Sequence, residues 1–185
     1  MLNIPNILTL SRILAIPIIV ITFHIPSSLG IWLSFGVFII ASVTDFLDGW
    51  LARKLNQTSE FGRALDPIAD KLLVATVLIL LLSNNQAPII AVIAILTREI
   101  LIAGLRESLA GKLVIPVSNL SKLKTTTQLI ALGVILISPE FSNEIDSAIY
   151  LAGKTAIWLV VVLTWLTAIP YITTAWHNYN NKDNS

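Results

Sequence analysis

The chain has 185 residues, 55% of them hydrophobic and 12% charged, with a net charge of +1 and a mean hydropathy of +0.81. Those values lie far from a soluble globular domain and exclude a molecule whose surface is mostly water-exposed. Cysteine is absent, which rules out disulfides and thiolate metal sites.

Apolar runs follow one another along the chain at about residues 13–25, 31–43, 72–82, 87–105, 127–137 and 149–172. We read them as six membrane-spanning helices. Several are shorter than the ~20 residues that cross a bilayer, so those helices must extend into polar flanks. None alternates with period two, as the strands of a transmembrane barrel would. The expected fold class is therefore all-α, an integral membrane bundle of six transmembrane helices forming one domain over residues 1–185, with a short polar tail at 178–185. No Lys or Arg precedes Arg12, and the first run ends at His24, Ile25 and Pro26 without a small-residue cleavage site. The first helix is expected to be retained.

Charge is distributed unevenly between the ends of these helices. The connections after the second and fourth runs carry Arg53, Lys54, Arg63, Arg106, Lys112, Lys122 and Lys124. Residues 26–30 and 83–86 carry no charge, and residues 139–146 carry only Glu140, Glu144 and Asp146. The positive-inside rule then puts both termini and the basic connections in the cytoplasm, in a cytoplasmic (inner) membrane.

One segment does not fit an apolar chain. Residues 45–70 read DFLDGWLARKLNQTSEFGRALDPIAD, with four aspartates. Asp45 and Asp48 are three apart and Asp66 and Asp70 four apart, so each pair shares a face of its helix. Asn56 to Ser59 form a polar break, with Thr58 or Ser59 as the N-cap of the next helix. The two helices are expected to lie adjacent and antiparallel, with Gly49 and Gly62 on the carboxylate faces, where they permit close approach to the backbone.

An intramembrane carboxylate costs on the order of 2.5–3.5 kcal/mol, less near the interface, so four need compensation. Hard divalent cations supply it, because Mg²⁺ and Mn²⁺ prefer oxygen ligands and commonly share them with substrate phosphates. Four carboxylates suffice for two ions, the arrangement that clamps attacking and leaving oxygens in phosphoryl transfer. Two other readings stand beside this one. The acids can pair with Arg53, Lys54, Arg63 and Lys71 in a structural network, or they can line a divalent-cation transporter, although no internal repeat of the transporter kind is present.

The pattern Asp45-x-x-Asp48-Gly49-x-x-Ala52-Arg53, then Gly62-x-x-x-Asp66-x-x-x-Asp70, resembles the full signature of the CDP-alcohol phosphotransferases. Residues 3–12, 97–107 and 122–125 resemble corresponding segments of the branch that makes phosphatidylglycerophosphate. The resemblance implies transfer of the phosphatidyl group of CDP-diacylglycerol to sn-glycerol 3-phosphate, with release of CMP. It implies a di-metal centre, two Mg²⁺ or Mn²⁺ ions held among Asp45, Asp48, Asp66 and Asp70, with Asp70 as the catalytic base. Asn6, Thr9, Asp48, Gly49, Ala52 and Arg53 would face CDP-diacylglycerol. The implied partners are the two substrates, membrane lipids and a second copy of the chain in a homodimer, with no nucleic acid among them. Phosphatidylglycerol and inositol phosphate are the alternative acceptors within the family.

The acceptor's phosphate calls for cations. Arg98 and Arg106 lie eight residues apart, about two helical turns, on one face of the fourth helix, and Lys122 and Lys124 open the fifth. Together they form the expected glycerol 3-phosphate pocket. For the lysines the competing role is anchoring at lipid headgroups. Arg98 sits inside an apolar run, where a partner such as Glu99 or an aspartate would be needed. Trp32, Trp50, Trp158, Trp165, Trp176, Tyr171 and Tyr179 suit packing or an interfacial belt and are assigned no chemistry. Gly111 and Gly153 read as turn or helix-packing positions.

Overall fold

The structure is a computed structural model that describes residues 4–55, 60–109, 119–141 and 144–182. These residues are helical almost throughout and contain no strand. Seven α-helices follow in order: α1 (Ile4–Phe23), α2 (Ser28–Leu55), α3 (Glu60–Ser83), α4 (Ile89–Leu109), α5 (Asn119–Ile137), α6 (Glu144–Leu166) and α7 (Ile169–Lys182), with a 3₁₀ turn at Ser138–Glu140 between α5 and α6.

The core lies midway along the bundle, where Ile19, Phe38, Leu78, Ile95, Ile135 and Ile157 are buried from six different helices. Many large apolar side chains point outward instead, among them Ile40, Ile90, Ile100 and Leu151. A surface of this kind fits lipid as its solvent rather than water. Three stretches are long and apolar enough to cross a membrane: Ser28–Asp45, Leu120–Glu140 and Leu151–His177. The apolar part of α1, Ile7–Phe23, is shorter. In α3 and α4 the ionisable residues Asp66, Asp70, Lys71, Arg98, Glu99 and Arg106 interrupt the apolar sequence, which lowers its hydropathy.

Close approach between helices depends on glycine at two places. At Gly30 a Cβ would stand 2.3 Å from the Ile25 carbonyl oxygen, so only glycine allows the tight α1–α2 turn. At Gly153 it would stand 2.6 Å from Ile135 Cγ1, which identifies Gly153 as the contact point of α6 on α5. Gly111 lies outside the described residues. Helix α3 ends at Ser83; two residues on, Asn85 takes the left-handed conformation with φ 58°, and the Gln86 N–H donates back to the Leu81 carbonyl at 2.8 Å.

The structure adds detail to the sequence reading in three places. Helices α2 and α3 were expected as direct neighbours; among the described residues α1 packs extensively against both, Asp45 and Asp66 meet at Arg12, and the side chains of residues 46–64 lie outside the described residues. Residues 149–172 were expected as one span; the stretch Leu151–His177 is long and apolar enough for one, and within it the helix breaks at Thr167 and Ala168. Pro170 has no N–H to continue α6 but is well suited to the first turn of a new helix. The polar segment 178–185 is not all tail, since α7 continues to Lys182. Helices α1 and α3 remain continuous through Pro17 and Pro67, and the N-cap expected at Thr58 or Ser59 lies outside the described residues.

Candidate active site

The functional side chains gather at one end of the bundle. Helices α1, α3 and α5 begin there, at Thr9 and Arg12, Asp66 and Asp70, and Lys124. Helices α2, α4 and α6 arrive there, at Asp45, Arg98 and Arg106, and Thr164. The opposite end is formed by the connections around residues 24–27, 83–86 and 139, which surround a separate cavity.

Two of the four aspartates meet on α1. Arg12 is fully buried, and its Nη1 lies 2.9 Å from Asp45 Oδ1 and 4.0 Å from Asp66 Oδ1. The Thr9 hydroxyl donates to the same Asp66 oxygen at 2.5 Å. One guanidinium thus lies between carboxylates of α2 and α3 and offsets their repulsion, and a hydroxyl one turn away orients the second of them. The two aspartate side chains keep 38% and 42% of their surface exposed, so each can accept a further ligand.

Arg12 is the residue that the sequence reading missed. The signal was available: it is the only Lys, Arg, Asp or Glu before Asp45. An arginine alone in an apolar helix calls for a partner. The salt-bridge alternative named different cations. Of these, Lys71 donates to the Pro67 carbonyl at 3.2 Å, while the side chains of Arg53, Lys54 and Arg63 lie outside the described residues.

Asp70, one turn beyond Asp66, faces a second group of charges. It lines a cavity of about 120 Å³ together with Arg98, Glu99, Arg106, Lys124 and Gln128. Glu99 is the centre of this group. Lys124 is buried and donates to Glu99 Oε1, and Arg98 Nη1 lies 3.5 Å from the same oxygen. The helix break fixes Arg98 in place. Ala168 N–H bonds to the Trp165 carbonyl three residues back instead of to Thr164, and the Thr164 carbonyl accepts from Arg98 Nε at 2.7 Å. Arg98 Nη2 donates to the Thr167 hydroxyl at 2.8 Å.

Arg106 sits two turns further along α4. It donates to the Tyr171 hydroxyl, and its guanidinium carbon lies 4.7 Å from the Tyr171 ring centroid. Tyr171, assigned no chemistry from sequence, is thus the residue that positions Arg106. Nothing in the sequence distinguished it from the other aromatic residues. Lys122 is exposed and does not line the cavity.

The expected nucleotide face is only partly described. Thr9 is at the site, whereas the side chains of Asn6, Asp48, Gly49, Ala52 and Arg53 lie outside the described residues. Gly49 and Gly62, expected on the carboxylate faces, fall within α2 and α3, and their surroundings are not described. Among the described residues no three carboxylate or imidazole groups stand close enough to hold one metal ion.

Comparison with known proteins now gives this arrangement a context. Residues 2–169 match the family described as CDP-alcohol phosphatidyltransferase. The chain is also 46% identical over 170 residues to a CDP-diacylglycerol–glycerol-3-phosphate 3-phosphatidyltransferase of Rickettsia bellii, covering 91% of this chain and 93% of that protein. It is 41% identical over 184 residues to CDP-diacylglycerol–glycerol-3-phosphate 3-phosphatidyltransferase 2 of Arabidopsis thaliana, covering 87% and 78%. A protein of the former name from Salmonella choleraesuis is 36% identical over 178 residues, covering 94% of each. With nearly its whole length matched, the chain belongs to the CDP-alcohol phosphatidyltransferase family.

Proposed function

We propose that the chain transfers the phosphatidyl group of CDP-diacylglycerol to glycerol 3-phosphate, giving phosphatidylglycerophosphate and CMP. The shared name of its relatives supports this reading. The observation that carries it is a cavity in which a carboxylate, Asp70, faces Arg98, Arg106 and Lys124, beside the Asp45–Arg12–Asp66 cluster. The three cations gathered at the cavity suit an acceptor that carries its own phosphate.

In this reading Arg98, Arg106 and Lys124 hold the acceptor's phosphate, with arginine supplying the planar fork that phosphate oxygens fit. Lys122 contributes long-range attraction from the exposed surface. Asp70 accepts the proton of the acceptor hydroxyl as its oxygen attacks the phosphorus that bears diacylglycerol. The bond to CMP then breaks, and CMP leaves with the electron pair. Asn6, Thr9, Asp48, Gly49, Ala52 and Arg53 face the cytidine diphosphate. Thr9 acts by holding Asp66 in orientation.

The oxygen-only donor set fits a hard divalent cation, Mg²⁺ or Mn²⁺. Asp45 and Asp66, which meet at Arg12 and keep part of their surface open, would hold such ions, and Asp48 and Asp70 would be the further ligands of a two-ion centre. Such an ion supplies positive charge to the diphosphate and to the departing CMP.

The alternating direction of α1 to α6 between the site end and the opposite end supports six membrane spans in a single domain. With the basic connections inside, the site and both termini face the cytoplasm, in the inner membrane, and the chain pairs as a homodimer.

The test is CMP release by purified protein in mixed micelles. CMP should appear only when CDP-diacylglycerol, glycerol 3-phosphate and Mg²⁺ or Mn²⁺ are all present, with phosphatidylglycerophosphate as the lipid product. Release that requires phosphatidylglycerol or inositol phosphate instead would move the acceptor assignment, and cation flux without CMP release would overturn the enzyme reading.

A further inference from the structure

The cavity that holds Asp70, Arg98, Arg106 and Lys124 is also lined by a buried amide that the proposed reaction does not use. Gln128 lies one helical turn beyond Lys124 on α5 and lines the same cavity. Its side chain is 4% exposed, and its Oε1 has no hydrogen-bond partner among the described residues. A buried acceptor without a donor is costly, so such a group is usually completed by water or by ligand. Nearby apolar lining, Val74, Ile102 and Leu129, offers it no donor. The carboxylates of Asp70 and Glu99 are themselves acceptors when ionised.

The donors that line the cavity are engaged elsewhere: Lys124 with Glu99, Arg98 with Thr164 and Thr167, Arg106 with Tyr171, Lys71 with the Pro67 carbonyl and Thr125 with the Ser121 carbonyl. A donor brought in by the ligand is the partner that remains. Resting on the acceptor assignment above, glycerol 3-phosphate brings two hydroxyls. One must lose its proton toward Asp70 as it attacks. The other, on the middle carbon, is not consumed and enters the cavity between the phosphate at the cations and the attacking oxygen. We propose that Gln128 is a specificity residue whose amide oxygen accepts a hydrogen bond from this second hydroxyl. It selects vicinal diol phosphates over phosphorylated alcohols with a single hydroxyl. Because the acceptor is buried, an analogue that lacks the donor leaves it unpaired and is rejected, whereas an apolar side chain at this position has nothing to leave unpaired.

The experiment compares two acceptors, glycerol 3-phosphate and 3-hydroxypropyl phosphate, which lacks only the middle hydroxyl. CMP release is measured with each for the purified unaltered enzyme, Gln128→Met and Gln128→Glu. The unaltered enzyme should favour glycerol 3-phosphate in kcat/KM by roughly 5- to 150-fold, the range expected for leaving one buried acceptor unpaired. In Gln128→Met the ratio should fall to within about twofold of unity, because the group that reads the hydroxyl is gone. Gln128→Glu keeps an acceptor oxygen and should retain the preference even where the added charge slows both acceptors. It also carries the test if the methionine variant does not fold. A purely structural role would lower both acceptors together and leave the ratio unchanged, which overturns the proposal while the acceptor reading stands. An unaltered enzyme that uses neither acceptor overturns both.

Discussion

At the scale of single residues, Arg12 decides how the signature aspartates are presented. It is fully buried, its Nη1 lies 2.9 Å from Asp45, and it shares Asp66 with Thr9. Removing it leaves two carboxylates facing one another without an intervening cation, which distorts the site and raises the electrostatic cost of binding a diphosphate. Because the aspartates keep part of their surface in solvent, the loss falls below that of a fully buried pair. Arg12→Leu should slow CMP release by roughly 10- to 150-fold, equivalent to about 1.5–3 kcal/mol for a charged hydrogen bond. Arg12→Lys should recover part of the rate, since the charge is kept and the fork is lost. Rates are measured on protein shown by thermal unfolding to be folded, and an unchanged rate in Arg12→Leu would remove Arg12 from the site. Spacing alone located Asp45 and Asp66 on helices, but it carried no information on which cation would reach them. The sequence offered Arg53, Lys54, Arg63 and Lys71 because they are near in chain order, whereas the partner comes from a helix more than thirty positions before Asp45.

At the scale of elements, the break between α6 and α7 holds Arg98 at the cavity proposed for the acceptor. Pro170 was visible in the sequence as a threat to helix continuity, but its consequence was not. A helix that ends at Leu166 releases the Thr164 carbonyl from its usual partner, and Arg98 of α4 takes it. The Thr167 hydroxyl binds a second nitrogen of the same guanidinium. An arginine in an apolar helix is thus satisfied by the end of its neighbour, and its remaining edge faces Glu99 and the cavity. Thr167→Val keeps the shape and removes the hydroxyl. It should raise KM for glycerol 3-phosphate by roughly tenfold, with KM for CDP-diacylglycerol within about twofold, and should lower stability by about 1.5–3 kcal/mol. Thr167→Ser should restore both. Equal changes in the two KM values would show that the break stabilises the bundle without orienting Arg98.

At the scale of the whole molecule, the prediction concerns sidedness. The functional groups lie at the end where α1, α3 and α5 begin, and the opposite end is formed by the short connections near residues 24–27 and 84–88. Ser108, near the end of α4, and Asn84, after α3, are both exposed. Single cysteines at these two positions, in a chain that has none of its own, report the two ends independently. An impermeant thiol reagent applied to intact cells should label Ser108→Cys only after the membrane is opened, and should label Asn84→Cys before it. Labelling of both from one side would overturn the alternating arrangement.

Composition and hydropathy alone determined that the chain is helical and built for lipid, because a backbone in hydrocarbon must satisfy its own hydrogen bonds. The signature around Asp45 to Asp70 was enough to identify the family, since its fixed positions are local in sequence. What only the tertiary structure decided is long-range: α1 packing against both α2 and α3, Arg12 reaching both aspartates, Tyr171 holding Arg106, and Gln128 sharing the cavity of Lys124 and Asp70. Periodicity reports which face of a helix a residue occupies and nothing about which helix packs against that face. That choice is made by shape and charge across the bundle: by Gly153 admitting Ile135, and by a guanidinium finding carboxylates that no neighbouring residue in the chain could supply.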